Sequence, residues 1–163
     1  MQAPAAVQRR DRPVGLVGSQ AAALIPSLDH LRDDACAILR AAIEAADPSP
    51  LVTAALAAQS PAFPCASKNV HLIAAGKAAW PMAQALCAAL RITTGVAAGR
   101  RGQGSLPAQV EWIEGPHPLP DDRSLRAAVR ALDLAAGVRA SGDALVVLLS
   151  GGGSSMLAAP APG

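Results

Sequence analysis

The strongest constraint in the sequence is an apolar run that ends abruptly in three consecutive glycines. Residues 145–149 are all Leu or Val and predict a buried strand. The segment that follows consists of Ser150, Gly151, Gly152, Gly153, Ser154 and Ser155. Glycine reaches positive φ angles at no steric cost, so the N–H groups of such a turn can approach a ligand closely, and a helix beginning there would add its positive dipole end. The segment predicts a seat for a phosphate or carboxylate.

The same segment has a simpler interpretation, a tight turn that only joins a strand to a helix. One glycine is enough for such a turn, and three cost conformational entropy on folding, so anion binding is the favoured interpretation. A nucleophilic serine of the G-x-S-x-G kind is disfavoured, because no glycine follows Ser154 or Ser155 at the required offset.

Strand patterns alternate with helix patterns along the chain, which predicts an α/β, Rossmann-like layered domain with a mainly parallel sheet, preceded by N-terminal helices. A loosely ordered leader is expected at 1–26 and the α/β domain at 27–163. Strands are expected at 70–75, 95–98, 110–114 and 145–149. Helices are expected from a cap at Ser27 to Asp47, at 51–59, at 78–90 and at 122–136.

The last of these helices follows Asp121 or Asp122 as its cap and is expected to end at Gly137. Its expected inward stripe is Leu125, Val129, Leu132 and Ala136. The strand at 145–149 is the most apolar and is therefore expected near the centre of the sheet. Because the sequence ends before a covering helix can finish, we expect a domain incomplete at its C-terminus, the N-terminal piece of a longer protein or one that depends on a partner.

Composition excludes several classes of protein. A chain with 52% hydrophobic and 16% charged residues is globular rather than disordered. With 2% aromatic residues and a net charge of +2, it offers neither stacking platforms nor a basic stripe, so no nucleic-acid partner is expected. Three cysteines at wide spacings give no metal pattern. No membrane-spanning segment is expected, and the default location is the cytoplasm.

Two further residues stand where chemistry is expected. Lys77 follows the strand at 70–75, where an ammonium can reach a phosphate held at the same sheet edge. A solvated lysine at a helix start explains the position equally well. The surrounding residues fit neither the Walker pattern nor the G-x-G-x-x-G fingerprint. His117 stands in a proline-rich loop, as a candidate base or substrate contact or as a histidine that only bonds its own loop.

Three blocks together carry a resemblance to a known family. They are Ala-Gly-Lys-Ala-Ala at 75–79, Gly-Pro-His-Pro-Leu-Pro-Asp at 115–121 and Leu-Ser-Gly-Gly-Gly-Ser-Ser at 149–155. Over 31–163 the chain resembles the N-terminal domain of the bacterial and archaeal glycerate 2-kinases, whose members are also labelled hydroxypyruvate reductases. The resemblance implies ATP-dependent phosphorylation of D-glycerate at its 2-hydroxyl, with Mg²⁺ and with metal ligands unknown.

The resemblance also implies roles for individual residues. Lys77 matches the family's catalytic lysine, and 150–155 would seat a substrate carboxylate or a nucleotide phosphate. His117 and Asp121 would line the same cleft. The sequence departs from the family at Ala74, where glycine is common.

Family members are longer, and their second domain adds active-site residues, including an arginine. The resemblance therefore implies half of a kinase site, inactive without a C-terminal domain or a second copy. Two other functions stay open: an NAD(P)H-dependent hydroxypyruvate reductase, against which the missing dinucleotide fingerprint counts, and a non-catalytic module that binds a sugar phosphate.

Overall fold

The computed structural model of the chain describes residues 27–58 and 69–161. The expected leader at 1–26 lies outside the described residues. The chain divides into two compact units, Met1–Ala45 and Ala46–Gly163. In the first unit a single helix is described, α1 (Leu28–Ala45), whose residues are all exposed. The hydroxyl of Ser27 accepts a hydrogen bond from the His30 N–H at 3.2 Å, which confirms Ser27 as the start of this helix.

The second unit alternates helices and strands in the predicted order. Asp47 caps its first helix by accepting a hydrogen bond from the Ser49 N–H at 2.9 Å, and Pro48 occupies the first turn, where its missing N–H costs nothing. The elements are α2 (Pro48–Ala57), β1 (Val70–Gly76), α3 (Ala79–Ala89), β2 (Thr94–Gly99), β3 (Val110–Glu114), α4 (Asp122–Ser141), β4 (Ala144–Leu149) and α5 (Gly153–Met156).

The four strands form one parallel sheet in the order β3-β2-β1-β4. This confirms the predicted α/β class. The central position expected for β4 is wrong within the described residues, because the inner strands are β1 and β2. Those strands are rich in alanine, whose side chain is less hydrophobic than the Leu and Val of β4. Ala74, Ala75 and Ala97 are nevertheless fully buried. Small side chains there let helices pack close to the sheet from both sides.

Each face of the sheet has its own core. On one face, α2 and α3 pack over alternate strand residues such as Leu72 and Val146, with Leu86 of α3 fully buried among them. On the other face, Val96 and Ile113 pack against Ala127 of α4. The two faces follow from the two-residue period of a strand. No helix among the described residues has the length and apolarity needed to cross a bilayer.

Helix α4 departs from its prediction in two ways. It continues through Gly137, which makes no close contact on the helix surface, and ends at Gly142, whose φ of 70° gives the left-handed cap that terminates it. The expected inward stripe is also wrong: Leu125, Val129, Leu132 and Ala136 are exposed. The buried face consists of Ser124, Ala127, Ala128, Ala131 and Val138. Side-chain size misled the prediction, because the smaller residues make the close approach to the sheet.

Ser124 ties the start of α4 to the glycine segment. Its fully buried hydroxyl donates to the Ser155 carbonyl at 2.6 Å and accepts from the Asp121 N–H at 3.2 Å. The Ser124 carbonyl accepts from the Ala158 N–H at 3.3 Å. One serine therefore satisfies polar groups on both sides of this contact.

Replacing that hydroxyl should destabilise the fold. We expect Ser124→Ala to lower the free energy of unfolding by about 1–3 kcal/mol, because the Ser155 carbonyl is left buried without its donor. Urea denaturation followed by circular dichroism measures this. The control is Ser105→Ala, since Ser105 is exposed and its hydroxyl has no partner among the described residues. Equal stabilities of the two variants would contradict the structural role of Ser124.

Candidate functional site

The carboxyl ends of all four strands meet at one edge of the sheet, and each is followed by a residue of interest. Lys77 follows β1 and Arg100 follows β2, while His117 stands in the loop after β3 and the glycine segment follows β4. In open α/β sheets this edge is where ligands bind. The structure therefore places the predicted motifs at the same edge.

The turn after β1 and the turn after β4 are bonded directly to each other. The Lys77 N–H donates to the Gly151 carbonyl and the Ser150 N–H to the Ala75 carbonyl, both at 2.9 Å. The Ser150 hydroxyl accepts from the Ala78 N–H at 3.0 Å and donates to the Ala75 carbonyl at 3.4 Å. The Ser150 side chain is predicted as a ligand contact. In the structure its hydroxyl instead holds these two turns together.

Gly152 is the point where the three sequence blocks converge. Its φ is +85°, and a methyl group placed on its Cα would lie 3.0 Å from Cδ2 of His117 and 3.5 Å from Cγ of Lys77. A side chain at this position would fill the space between the imidazole and the lysine stem. The glycine therefore keeps open a small concavity bordered by Lys77 and His117.

Several donors near this turn have no partner in the part of the chain that the structure describes. Among the described residues, no acceptor bonds the N–H groups of Gly151 and Gly152, the ammonium of Lys77 or the ring of His117. The helix after the glycines is a single turn, so the dipole contribution expected from it is small. Free backbone N–H groups beside an ammonium suit an anionic ligand.

The remaining residues of the segment have more local contacts. The Gly153 N–H donates to the Ser150 carbonyl at 3.2 Å, and the buried Ser155 donates its hydroxyl to the Gly152 carbonyl at 3.0 Å. Ser154 is exposed. Ser155 thus holds the turn in shape, while Ser154 is the hydroxyl of the segment that faces solvent.

Asp121 has a structural role at the start of α4. Its carboxylate accepts from the Arg123 N–H at 2.8 Å and pairs with the Arg123 guanidinium at 2.8 Å, and Ser124 completes a capping box. The hydrogen bond from the Arg123 side chain holds the pKa of this carboxyl below its usual range. Among the described residues no hydrogen bond or ion pair joins its carboxylate to Lys77 or the glycine segment, so its predicted role as a ligand stays a prediction.

The described residues include no cluster of three His, Cys, Asp or Glu side chains that could hold a metal ion. Two carboxylates at this edge have partners, since Glu114 accepts from the Trp112 indole N–H at 3.2 Å and Asp121 pairs with Arg123. Asp122, beside Asp121, is exposed and forms no ion pair with any of the described residues.

One residue at this edge was missed from the sequence. Arg100 stands directly after β2, as Lys77 stands after β1, and Gly99 pairs with Gly76 in the ladder between these strands. The signal was a cation in the same position after a neighbouring strand. The sequence alone does not single it out, because the strand before it consists of Thr, Gly, Val and Ala and carries few large apolar residues that would mark its end.

A four-stranded parallel sheet with helices on both faces, whose carboxyl edge carries two cations and a glycine turn, defines an α/β protein with a candidate site at that edge. The sequence places it more closely. Residues 34–163 match the family described as a domain of unknown function, DUF4147. The chain belongs to this family.

Its relatives include named enzymes. A glycerate 2-kinase of Pyrococcus horikoshii is 34% identical over 140 residues, covering 82% of this chain and 31% of the relative. A protein of Agrobacterium vitis named provisionally as a hydroxypyruvate reductase is 42% identical over 96 residues, covering 56% and 24%. The crystal structure of a Thermotoga maritima glycerate kinase superposes with a TM-score of 0.62 at 34% identity, covering 78% and 30%. The chain thus spans less than a third of their lengths.

Gly152 should be intolerant of a side chain. We expect Gly152→Ala to cost about 1–2 kcal/mol through its left-handed backbone and to weaken binding of inorganic phosphate, because the methyl group fills the concavity. Gly151→Ala is the matched control, since Gly151 has no positive φ and nothing lies within 4 Å of the added carbon. Thermal melts and phosphorus NMR titrations measure both effects. A similar loss of phosphate binding in the two variants would contradict the assignment.

The Asp121 cap should make stability depend on pH. Its pKa is lower in the folded chain than in the unfolded one, so the stabilisation is fully present above the unfolded pKa and is lost as the pH falls through the folded value. We expect Asp121→Asn to lower the melting temperature at pH 7 and to have a much smaller effect once the wild-type carboxyl is protonated. Melting curves between pH 7 and strongly acidic pH measure this, and a pH-independent difference would contradict it.

Proposed function

We propose that this chain forms the N-terminal part of a longer kinase that phosphorylates D-glycerate at its 2-hydroxyl with ATP, giving 2-phosphoglycerate in the cytoplasm. The observation that carries this function is the meeting of Lys77, His117 and Gly152 at one point of the sheet edge. Free donors there fit a phosphoryl group. Kinase relatives of known structure share the fold, which supports the same reaction.

The chemistry needs positive charge more than covalent participation. In phosphoryl transfer, negative charge spreads over the equatorial oxygens of the transferred group, and fixed donors stabilise it. The Lys77 ammonium and the N–H groups of Gly151 and Gly152 supply such donors. The 2-hydroxyl oxygen bonds to the γ-phosphorus, the bond to the bridging oxygen breaks, and ADP leaves with that electron pair.

His117 is the residue placed to take the hydroxyl proton. Its ring borders the concavity at Gly152 and forms no ion pair with any of the described residues. A neutral imidazole nitrogen can accept the proton as the 2-hydroxyl attacks. We assign no protein ligand to Mg²⁺, which would neutralise phosphate charge when bound.

The chain also has surfaces that suit a larger assembly. Val147 and Leu149 of β4 are 50% and 64% exposed, and Leu132 of α4 is 62% exposed. Apolar side chains grouped on a sheet face and a helix commonly mark an interface. This supports the expectation that a C-terminal domain or a second copy completes the domain and that residues 1–163 alone have little or no activity.

A coupled assay on the longer polypeptide separates this function from the reductase alternative. ATP consumption that depends on D-glycerate supports the kinase, whereas NADH oxidation with hydroxypyruvate supports the reductase. The glycine segment after β4 and Gly76 at the end of β1 do not form the G-x-G-x-x-G spacing that dinucleotide binding uses. NADH oxidation without ATP turnover would overturn the proposed function.

Lys77 should be essential to the rate and dispensable for folding. We expect Lys77→Ala in the longer polypeptide to lower kcat by about 100- to 1,000-fold, because the developing charge loses its nearest ammonium. Lys77 is exposed and its ammonium has no partner among the described residues, so the melting temperature should stay within a few degrees. Arg91→Ala is the control, a cation at the opposite edge of the sheet. Unchanged turnover in Lys77→Ala would remove the lysine from the mechanism.

A further inference from the structure

A second cavity, of about 460 Å³, adjoins the concavity at Gly152. It lies where β2 and β3 end, and its lining includes Arg100, Glu114, His117, Leu119 and Arg123. His117 belongs to both spaces, since its ring also borders Gly152. The volume is within the usual range for small-molecule sites.

The charges in this cavity leave one cation without a partner. Arg123 is bound by the Asp121 carboxylate, and Glu114 accepts from Trp112 and, at 3.5 Å, from the Arg101 N–H. Arg100 forms no ion pair or hydrogen bond with any of the described residues. Glu114 keeps its negative charge in the same lining, and Arg100 is the cation there whose hydrogen-bond donors have no acceptor among the described residues, so they can bind an anionic group of a ligand.

The backbone that carries Arg100 is held firmly in place. The Gln103 carbonyl accepts from the Trp80 indole N–H at 2.8 Å and from the Gln84 amide at 3.0 Å. Arg101 stacks over the Trp80 ring with its guanidinium carbon 5.5 Å from the centroid. These contacts fix the loop after β2 and direct Arg101 to Trp80, which leaves Arg100 to the cavity.

The position of Arg100 relative to Lys77 follows from the ladder. Gly76 pairs with Gly99 in parallel register, so the two cations follow paired residues on neighbouring strands. The glycine turn packs on the Lys77 side and the second cavity opens on the Arg100 side. The edge thus offers two adjacent places for negative charge, with His117 between them.

We infer that Arg100 binds the carboxylate of the acceptor acid in the second cavity, while Lys77 and the glycine turn bind the transferred phosphoryl group. This inference rests on the proposed function and names the residue that recognises the acid. A guanidinium fork matches a carboxylate with two parallel hydrogen bonds, which an ammonium cannot do. An acid held in this way lies beside His117, where its hydroxyl proton can be taken.

Binding to the longer polypeptide, with the substitutions at the same positions, tests this role. The titrants are D-glycerate, glycerol as its analogue without the carboxylate, and ATP, each followed by NMR shifts of the labelled protein. We expect Arg100→Gln to weaken D-glycerate binding by about tenfold or more, because a charge-assisted hydrogen bond is lost, and to change ATP binding less than twofold. Glycerol should bind the wild-type chain no better than it binds the variant.

Matched variants separate this effect from net charge. Arg91→Gln removes the same charge just before β2, at the opposite edge, and should leave D-glycerate binding unchanged. Arg100→Lys keeps the charge without the fork and should lose part of the affinity. Arg100 is exposed, so melting temperatures should match across the set.

The results that overturn the inference differ from those that overturn the proposed function. If the wild-type chain binds D-glycerate and Arg100→Gln binds it equally well, the Arg100 role is wrong and the kinase stands. If Arg100→Gln weakens ATP and not D-glycerate, Arg100 is a nucleotide contact and the carboxylate assignment is wrong. If the longer polypeptide binds ATP but no D-glycerate, both the acid as substrate and the Arg100 role fail.

Discussion

The candidate site depends on the hydrogen-bonded joint between the ends of β1 and β4. Residues separated by 72 positions in the sequence meet there, because the Ser150 hydroxyl bonds the Ala78 N–H while the Lys77 N–H bonds the Gly151 carbonyl. This joint places the lysine and the glycine turn side by side. It also requires glycine at position 76, where a Cβ would overlap Ser150. The chemistry of the edge therefore follows from a strand pairing.

Local patterns predicted the elements well, because they depend on periodicity and capping that the sequence shows directly. The caps at Ser27 and Asp121 and the parallel α/β class are confirmed. Apart from the end of α4, which lies at Gly142 and not at Gly137, the errors concern packing between elements. The buried face of α4 consists mainly of alanines and Ser124. A search for large apolar residues does not find such a face, because small side chains are what let the helix pack close to the sheet.

The sequence predicts where the site residues lie better than it predicts what each side chain bonds. Convergence of Lys77, His117 and the glycine turn was foreseeable, since the carboxyl ends of parallel strands share an edge. The sequence does not show which partner each polar side chain bonds. A hydroxyl or carboxylate has several possible hydrogen-bond partners nearby, and the fold decides among them. Ser150 and Asp121 are examples: their polar atoms bond the turn and the helix start, which only coordinates reveal.

Charge pairing gives the clearest physical distinction between structural and available cations. Arg123 pairs with Asp121 and Arg130 with Glu111, each at 2.8–2.9 Å, so their charges are compensated within the chain. Lys77 and Arg100 have no such partner among the described residues, although Glu114 lies in the same cavity lining as Arg100. That carboxylate is turned instead to Trp112 and the Arg101 backbone. In the proposed function these two cations would neutralise the charge of an anionic ligand, and the contacts that hold their backbone in place would reduce the ordering cost of binding.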